Sequence, residues 1–126
     1  MAGSPGHKRW PEHKVTEEHP GIRMEVYFNG EKIADSKDVI KVVEDEHPVR
    51  FYIPRQDVRM DALERTQHTS QCPFKGAAHY YSVKVGGRTA ENAVWTYEDP
   101  YDEHRDLKDR LAFYDDKVDE IKVLAA

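Results

Sequence analysis

The sequence predicts a mainly β fold, either a pair of mostly antiparallel sheets or an open barrel. Seven or eight short segments are rich in β-branched and aromatic residues, and several alternate apolar with polar positions as half-buried strands do. Turn signals separate them, among them Asn29-Gly30, Gly86-Gly87 and Asp99-Pro100. Short strands joined by tight turns favour antiparallel pairing over a parallel α/β sheet.

The length and composition of the chain disfavour several classes of function. A chain of 126 residues fits one domain, and its net charge of -5 disfavours nonspecific binding to nucleic acid or to an anionic membrane. No apolar run approaches the roughly 20 residues that span a bilayer, and the N-terminus lacks the apolar region of a signal peptide. The single cysteine excludes an internal disulfide, so we expect a cytoplasmic protein.

Residues 1–20 are polar and contain Pro5, Pro11 and Pro20, which predicts an irregular N-terminal arm. Trp10 has the large apolar surface needed to pin this arm to the rest of the protein, although a frayed tail is the alternative. Residues 21–126 are expected to form a single β-rich domain, because no repeat or second composition break follows.

The first half of this domain contains four predicted strands. Apolar residues at every second position of 24–28 are followed by Asn29-Gly30 and by a second run at 31–36, and two such runs joined by Asn-Gly are the strongest short signal for a β-hairpin. Residues 39–44 and 49–53 form the next two strands, and Pro54 ends the second.

The second half begins with an ambiguous segment, 57–67, in which Asp61 and Glu64 could cap one helical turn. Residues 77–85 form a strand with Tyr81, Val83 and Val85 on one face, and Gly86-Gly87 turns the chain back. The remaining predicted elements are the returning strand 88–97, a short helix near Leu107, and strand-like pieces at 111–114 and 118–123.

Arg55 and Asp57 form the first candidate site. They follow a strand end and are two positions apart, so on an extended backbone their side chains point the same way. Arg55 is suited to hold a carboxylate or phosphate, and Asp57 to orient it or act as a base. The alternative is an ion pair that fixes the exit from the strand.

Cys72-Pro-Phe-Lys-Gly76 is the second candidate. Gly76 permits a turn or the close approach of a ligand, and Lys75 lies near enough to favour a thiolate on Cys72. A nucleophilic cysteine needs a base, for which His68 and His79 are the nearest in sequence. We expect Cys72 and Lys75 to line a ligand site, and the alternative is a small buried cysteine where a strand begins.

Two further patterns concern metals and aromatic residues. The seven histidines show no metal-binding spacing, and three of them, His7, His13 and His19, lie in the predicted arm. A zinc site needs three or four convergent ligands, so no metal and no cofactor is expected. Tyr80 and Trp95, on neighbouring predicted strands, pack a core or border a pocket.

Four blocks in fixed order carry a resemblance to a known family. They are 51–58, 72–76 with the tyrosines that follow, 93–97 with Pro100, and 111–114. Over about residues 22–123 they look like the bacterial family catalogued as domain of unknown function 427. The resemblance implies a β-tent-like fold, in which two antiparallel sheets meet at an angle with one or two short helices. It also implies a cleft between the sheets.

The resemblance leaves the chemistry open. Related domains hold zinc through paired cysteines, which a chain with one cysteine does not offer. The family carries a nucleotidyltransferase-like label, but this sequence has no phosphate-binding loop and no paired-carboxylate metal motif.

Three functions are therefore considered. The first is a domain, catalytic or not, that binds a small anionic molecule. Its cleft would be lined by Arg55, Asp57, Cys72, Lys75, Tyr80 and Trp95. The second is a non-catalytic structural or protein-interaction domain, and the third is a nucleotidyltransferase. We expect no nucleic-acid or membrane partner, and a monomer or weak homodimer.

Overall fold

The computed structural model describes residues 3–125, which form ten strands and one α-helix. The strands are β1 (Val15–Glu18), β2 (Ile22–Phe28), β3 (Glu31–Ser36), β4 (Ile40–Glu44), β5 (Arg50–Tyr52), β6 (Leu63–Cys72), β7 (Gly76–Val85), β8 (Arg88–Tyr97), β9 (Leu111–Phe113) and β10 (Glu120–Ala125). Helix α1 covers Pro5–Arg9, and 3₁₀ turns cover Arg55–Asp57, Met60–Ala62 and Asp102–Leu107. The mainly β prediction is confirmed. No helix within 3–125 is long and apolar enough to cross a membrane.

The strands form three antiparallel sheets, in the orders β1-β4-β5, β10-β2-β3 and β6-β7-β8-β9. Ile53, just after β5, exchanges two backbone hydrogen bonds of 2.8 Å with Leu111 in β9. This pair joins the first and third sheets into one continuous hydrogen-bonded layer that folds back on itself. The family resemblance implied two sheets, and this pair links two of the three observed sheets by backbone hydrogen bonds.

Two tight turns have the backbone that their sequences predict. Asn29 and Gly30 between β2 and β3 have φ of 50° and 79°, and Gly86 and Gly87 between β7 and β8 have φ of 56° and 85°. Both positions of such turns need positive φ, which favours Asn and Gly. The two turns also touch, because the Asn29 amide donates to the Val85 carbonyl at 2.9 Å.

The sheet β6-β7-β8-β9 has an apolar core on each face. Tyr81 and Val83 pack on the face toward β2 and β3, in agreement with the predicted period-two pattern. On the other face, Tyr80 and Trp95 pack with Val42 of β4. The fold therefore encloses this sheet between the other two.

Two predictions were wrong. Residues 63–72 were not recognised as a strand, because β6 lies at a sheet edge where its side chains are mostly exposed and show no apolar alternation. Residues 1–20 were predicted to be irregular, yet they contain α1 and β1. Long-range pairing with β4 determines β1, and no local pattern signals that strand. Helix α1 does have a local signal, because Ser4 caps it and Pro5 is its first residue. Residues 1, 2 and 126 lie outside the described residues.

The N-terminal segment is anchored by Ser4 and Gly6, whereas Trp10 is 47% exposed. The Ser4 hydroxyl and the Gly6 amide both donate to the Pro73 carbonyl, at 2.7 and 2.8 Å. An added Cβ on Gly6 would lie 2.6 Å from that oxygen and 2.8 Å from the Phe74 ring. Close backbone approach therefore fixes the segment on the Pro73-Phe74 loop.

Gly6→Ala should destabilise the protein although alanine is the better helix former by about 1 kcal/mol. The clash is with a backbone oxygen that cannot move aside, and overpacking of this kind costs about 1–3 kcal/mol. We expect a lower melting temperature and faster proteolysis of the N-terminal segment.

Gly3→Ala is the matched control, since its added Cβ would meet only the flexible end of Lys8 at 3.8 Å. Equal melting temperatures for Gly6→Ala and Gly3→Ala would contradict the anchoring role of Gly6.

Candidate functional site

A cavity of about 230 Å³ lies where β4 and β5 fold over β7 and β8. Four of the six predicted ligand-site residues, Cys72, Lys75, Tyr80 and Trp95, line it together. The other lining residues are Val42, Glu44, His47, Pro48, Arg50, Tyr52, Tyr97 and Tyr114. Ligand pockets usually have volumes of about 300–1,000 Å³, so this cavity lies below that range and has room only for a very small molecule.

A buried ion pair forms one wall. The Lys75 Nζ donates to Glu44 Oε1 at 2.6 Å, and both side chains are less than a tenth exposed. Burial alone would raise the pKa of Glu44, but hydrogen bonds from Lys75 and His13 outweigh it and hold the pKa below its usual value. Lys75 was expected to attract an anion, yet Glu44 already neutralises it. Lys75 therefore fixes the wall of the cavity.

Aromatic side chains form another part of the cavity wall. The Trp95 indole donates to the Tyr52 hydroxyl at 3.1 Å, and the Tyr114 ring lies 4.4 Å from the Trp95 ring. Burial raises the pKa values of Tyr52 and Tyr97, and burial with a hydrogen bond to Tyr80 raises that of Tyr114 to about 12. These phenols stay neutral at physiological pH, so the wall offers flat apolar faces and uncharged hydroxyl groups.

Arg50 supplies positive charge at the cavity. Its guanidinium lies 5.4 Å from the Trp95 ring and 5.2 Å from the Tyr114 ring. Its ion pair with Asp115 is long, at 4.0 Å, and the Asp115 side chain is largely exposed. Arg50 was not predicted because it lies inside a predicted strand, and only its contact with aromatic residues from distant parts of the chain identifies it.

Arg55 and Asp57 lie elsewhere, and the prediction that they share a cleft with Lys75 was wrong. Arg55 donates to the Tyr81 hydroxyl at 3.2 Å, on the face of the sheet opposite to the cavity. Asp57 accepts from the Ser36 hydroxyl at 2.7 Å. Both belong to a 3₁₀ turn, which separates side chains that an extended backbone would align. Their contacts fit a structural role.

Cys72 borders the cavity at the end of β6. Its Sγ accepts the Lys75 amide at 3.4 Å, which closes the Cys72–Gly76 loop on itself. Gly76 has φ of 121°, and an added Cβ would meet the Asp99 carbonyl at 3.3 Å, so its close neighbour is the backbone at Asp99. The candidate bases are engaged elsewhere: His68 packs on Tyr80, and His79 lies 3.7 Å from Glu98. The arrangement fits a lining role for the thiol.

A chain of polar contacts secures the N-terminal segment near the cavity. Buried His104 contacts Glu17 through Nδ1 at 2.6 Å and His7 through Nε2 at 2.9 Å. The His7 ring also packs edge-on against Phe74 at 5.0 Å. Burial and the neighbouring His104 both lower the pKa of His7. The segment is therefore docked with His7 in its neutral form at pH 7.

The arm histidines were expected not to converge with other metal-ligand residues, but one of them does. β1 pairs with β4 so that Val15 lies opposite Glu44, which brings the residues before β1 beside those after β4. His13 Nε2 thereby lies 3.0 Å from Glu44 Oε2, and His47 Nδ1 lies 3.5 Å from the same oxygen. Only the pairing of these distant segments assembles the cluster.

Residues 17–124 match the profile of the family described as a domain of unknown function, DUF427. The chain belongs to this family. The DUF427 match covers every strand except the first two residues of β1 and the last of β10, and so contains the whole cavity wall. A search of curated proteins found no match to this DUF427 chain.

Lys75→Met tests the buried ion pair. It leaves the Glu44 carboxylate buried without its main partner, so the free energy of unfolding should fall by about 3–5 kcal/mol in urea denaturation. Lys84→Met is the matched control, because Lys84 forms an exposed pair with Glu64 at 3.0 Å. Such a pair contributes less than about 1 kcal/mol. Similar losses for both variants would contradict the burial of the Lys75–Glu44 pair.

The lowered pKa of His7 predicts a loss of stability at mildly acidic pH. The unfolded chain binds a proton at His7 near the ordinary value of 6.5, whereas the folded protein resists it. The contribution of His7 to the free energy of unfolding is therefore complete above pH 6.5. It is lost as the pH falls below 6.5 toward the folded-state pKa of His7.

Urea denaturation between pH 7.5 and 5.5 measures the effect, in a range above the titration of ordinary carboxylates. Wild type should lose more stability across this range than His7→Gln, which cannot titrate, while the exposed His19→Gln control should behave as wild type. Parallel losses in wild type and His7→Gln would count against the interpretation.

Proposed function

We propose that this DUF427 domain binds a small, planar, anionic molecule in the cavity between β4-β5 and β7-β8. The observation that supports this most directly is the position of Arg50, whose guanidinium lies over Trp95 and Tyr114 and has only one distant carboxylate, Asp115, as an ion-pair partner among residues 3–125. An arginine stacked on aromatic rings keeps the edge of its guanidinium free for a carboxylate or phosphate.

The chemistry of the walls favours this ligand class. Trp95, Tyr114 and Tyr80 line the cavity, and an aromatic lining suits a planar group. The neutral Tyr114 phenol supplies a hydrogen bond without repelling an anion. The Lys75–Glu44 pair contributes no net charge, so Arg50 replaces Arg55 and Lys75 in the predicted anion-binding role. The hydrogen bond at the Cys72 Sγ comes from the Lys75 amide, and the candidate bases His68 and His79 contact other groups, so a reaction at Cys72 is not part of the proposal.

The alternative is a protein-interaction domain, and β10 is the observation that favours it. This edge strand exposes Val123 and Leu124, and Val123 also borders a second cavity of about 330 Å³ beside β2 and β5. Nucleotidyl transfer has no comparable support, because Gly86-Gly87 forms a hairpin turn and no phosphate-binding loop. Bacterial origin and a cytoplasmic location are predictions from the sequence.

Tryptophan fluorescence tests the proposed ligand class. Trp10→Phe leaves Trp95 as the sole tryptophan, so emission reports on the cavity. Phenyl phosphate and benzoate should change this emission saturably, whereas the uncharged benzyl alcohol should bind more weakly. Arg50→Gln in the same background should weaken anion binding about tenfold or more, the loss expected for a charge-assisted contact worth about 1.5–3 kcal/mol.

Arg59→Gln is the matched control, because Arg59 pairs with Glu31 and Asp61 on the exposed surface far from the cavity. Equal weakening by Arg50→Gln and Arg59→Gln would refute the role of Arg50. If neither anion gives a saturable change and light scattering shows a dimer, the protein-interaction alternative is favoured.

A further inference from the structure

We propose that His13, Glu44 and His47 form a binding site for a divalent transition-metal ion, for which Zn²⁺ is the best match. The inference does not depend on the proposed organic ligand. One donor atom from each side chain lies within 4.8 Å of the other two. His13 Nε2 and His47 Nδ1 are 3.0 and 3.5 Å from Glu44 Oε2. Tetrahedral zinc with bonds of about 2.0–2.1 Å places its donor atoms about 3.3 Å apart.

Two of the three ligands are held in place by neighbouring groups. The His13 ring stacks on Phe74 at 4.4 Å with an interplanar angle of 20°. Lys75 binds Oε1 of Glu44, which leaves Oε2 directed at the two histidines. Hydrogen bonds that orient a coordinating carboxylate in this way are typical of protein metal sites.

His47 is the adjustable ligand. It lies in the turn between β4 and β5, and its side chain is 57% exposed. Its Nδ1 contacts the Asp45 carbonyl at 2.8 Å, and a carbonyl only accepts, so Nδ1 carries the proton in this arrangement. Metal binding requires the other tautomer or a rotation that presents Nε2, and an exposed ring is free to make either change. His47 would therefore complete a partly formed site.

The donor types and the local charge indicate which metal ion the site would bind. Two imidazoles and one carboxylate suit Zn²⁺ and its borderline neighbours and do not suit Mg²⁺ or Ca²⁺, which prefer oxygen ligands. Glu12, Asp45 and Glu46 line the adjacent surface depression beside His13, and their charge outweighs the nearby Lys75. Three protein ligands leave a fourth coordination position open. Because Glu44 and His47 also line the cavity, the ion would lie at its mouth.

Titration of EDTA-treated full-length protein with Co²⁺ tests the site. We expect saturable visible absorption of a tetrahedral or five-coordinate complex at one ion per chain, displaced by Zn²⁺. His47→Ala removes an exposed ligand without touching the core, and it should weaken Co²⁺ and Zn²⁺ binding at least tenfold. His13→Ala should do the same, with circular dichroism to verify folding.

His19→Ala is the matched control, since it removes an exposed histidine of the same N-terminal segment outside the cluster. It should bind both ions as wild type does. Absence of saturable Co²⁺ binding, or the same affinity in His47→Ala and His19→Ala, would overturn the proposal and show that the cluster is only an ion pair. Phenyl phosphate binding is measured in EDTA, which removes the metal ion. Neither outcome of the Co²⁺ titration therefore affects the conclusion about phenyl phosphate.

Discussion

The buried ion pair between Lys75 and Glu44 is the constraint on which the surrounding structure depends. A buried charge without a partner costs several kcal/mol, so the loop before β7 and the end of β4 must stay together. This contact fixes the distance between the two parts of the folded-back sheet layer. It also fixes the loop whose Pro73 and Phe74 receive the N-terminal segment.

The cavity is a consequence of how that layer folds back. The Ile53–Leu111 pair links the sheet of β4 and β5 to that of β8 and β9, so Val42 and Tyr52 meet the aromatic-rich face of β7 and β8 at close range. Large rings do not fill the space at the bend, and the gap remains between Trp95, Tyr114 and the ion pair. All of the residues that line the cavity lie within the matched range, 17–124.

Sequence patterns predicted the features that depend on neighbouring residues. The Asn29-Gly30 and Gly86-Gly87 turns and the period-two strand ending at Val85 follow from backbone preference and apolar alternation, and all three are observed. The placement of Cys72, Lys75, Tyr80 and Trp95 around one cavity also agrees with the prediction, although their ligand role stays untested.

Features that depend on distant pairing could not be predicted in the same way. The partner of Lys75, the contact of Arg50 with aromatic rings, and the position of His13 are each set by segments about 30 or more residues away. Arg55 was misplaced because a 3₁₀ turn replaced the extended backbone on which its predicted direction rested.

The contact between the two hairpin turns limits how the sequence can vary. The Asn29 side chain reaches the Val85 carbonyl, and a Cβ on Gly86 would lie 2.7 Å from the Asn29 amide nitrogen. A larger residue at position 86 would therefore displace Asn29, and a shorter residue at position 29 would leave room for one. The two positions should change together during evolution, so a library that randomises one turn alone would underestimate what the fold tolerates.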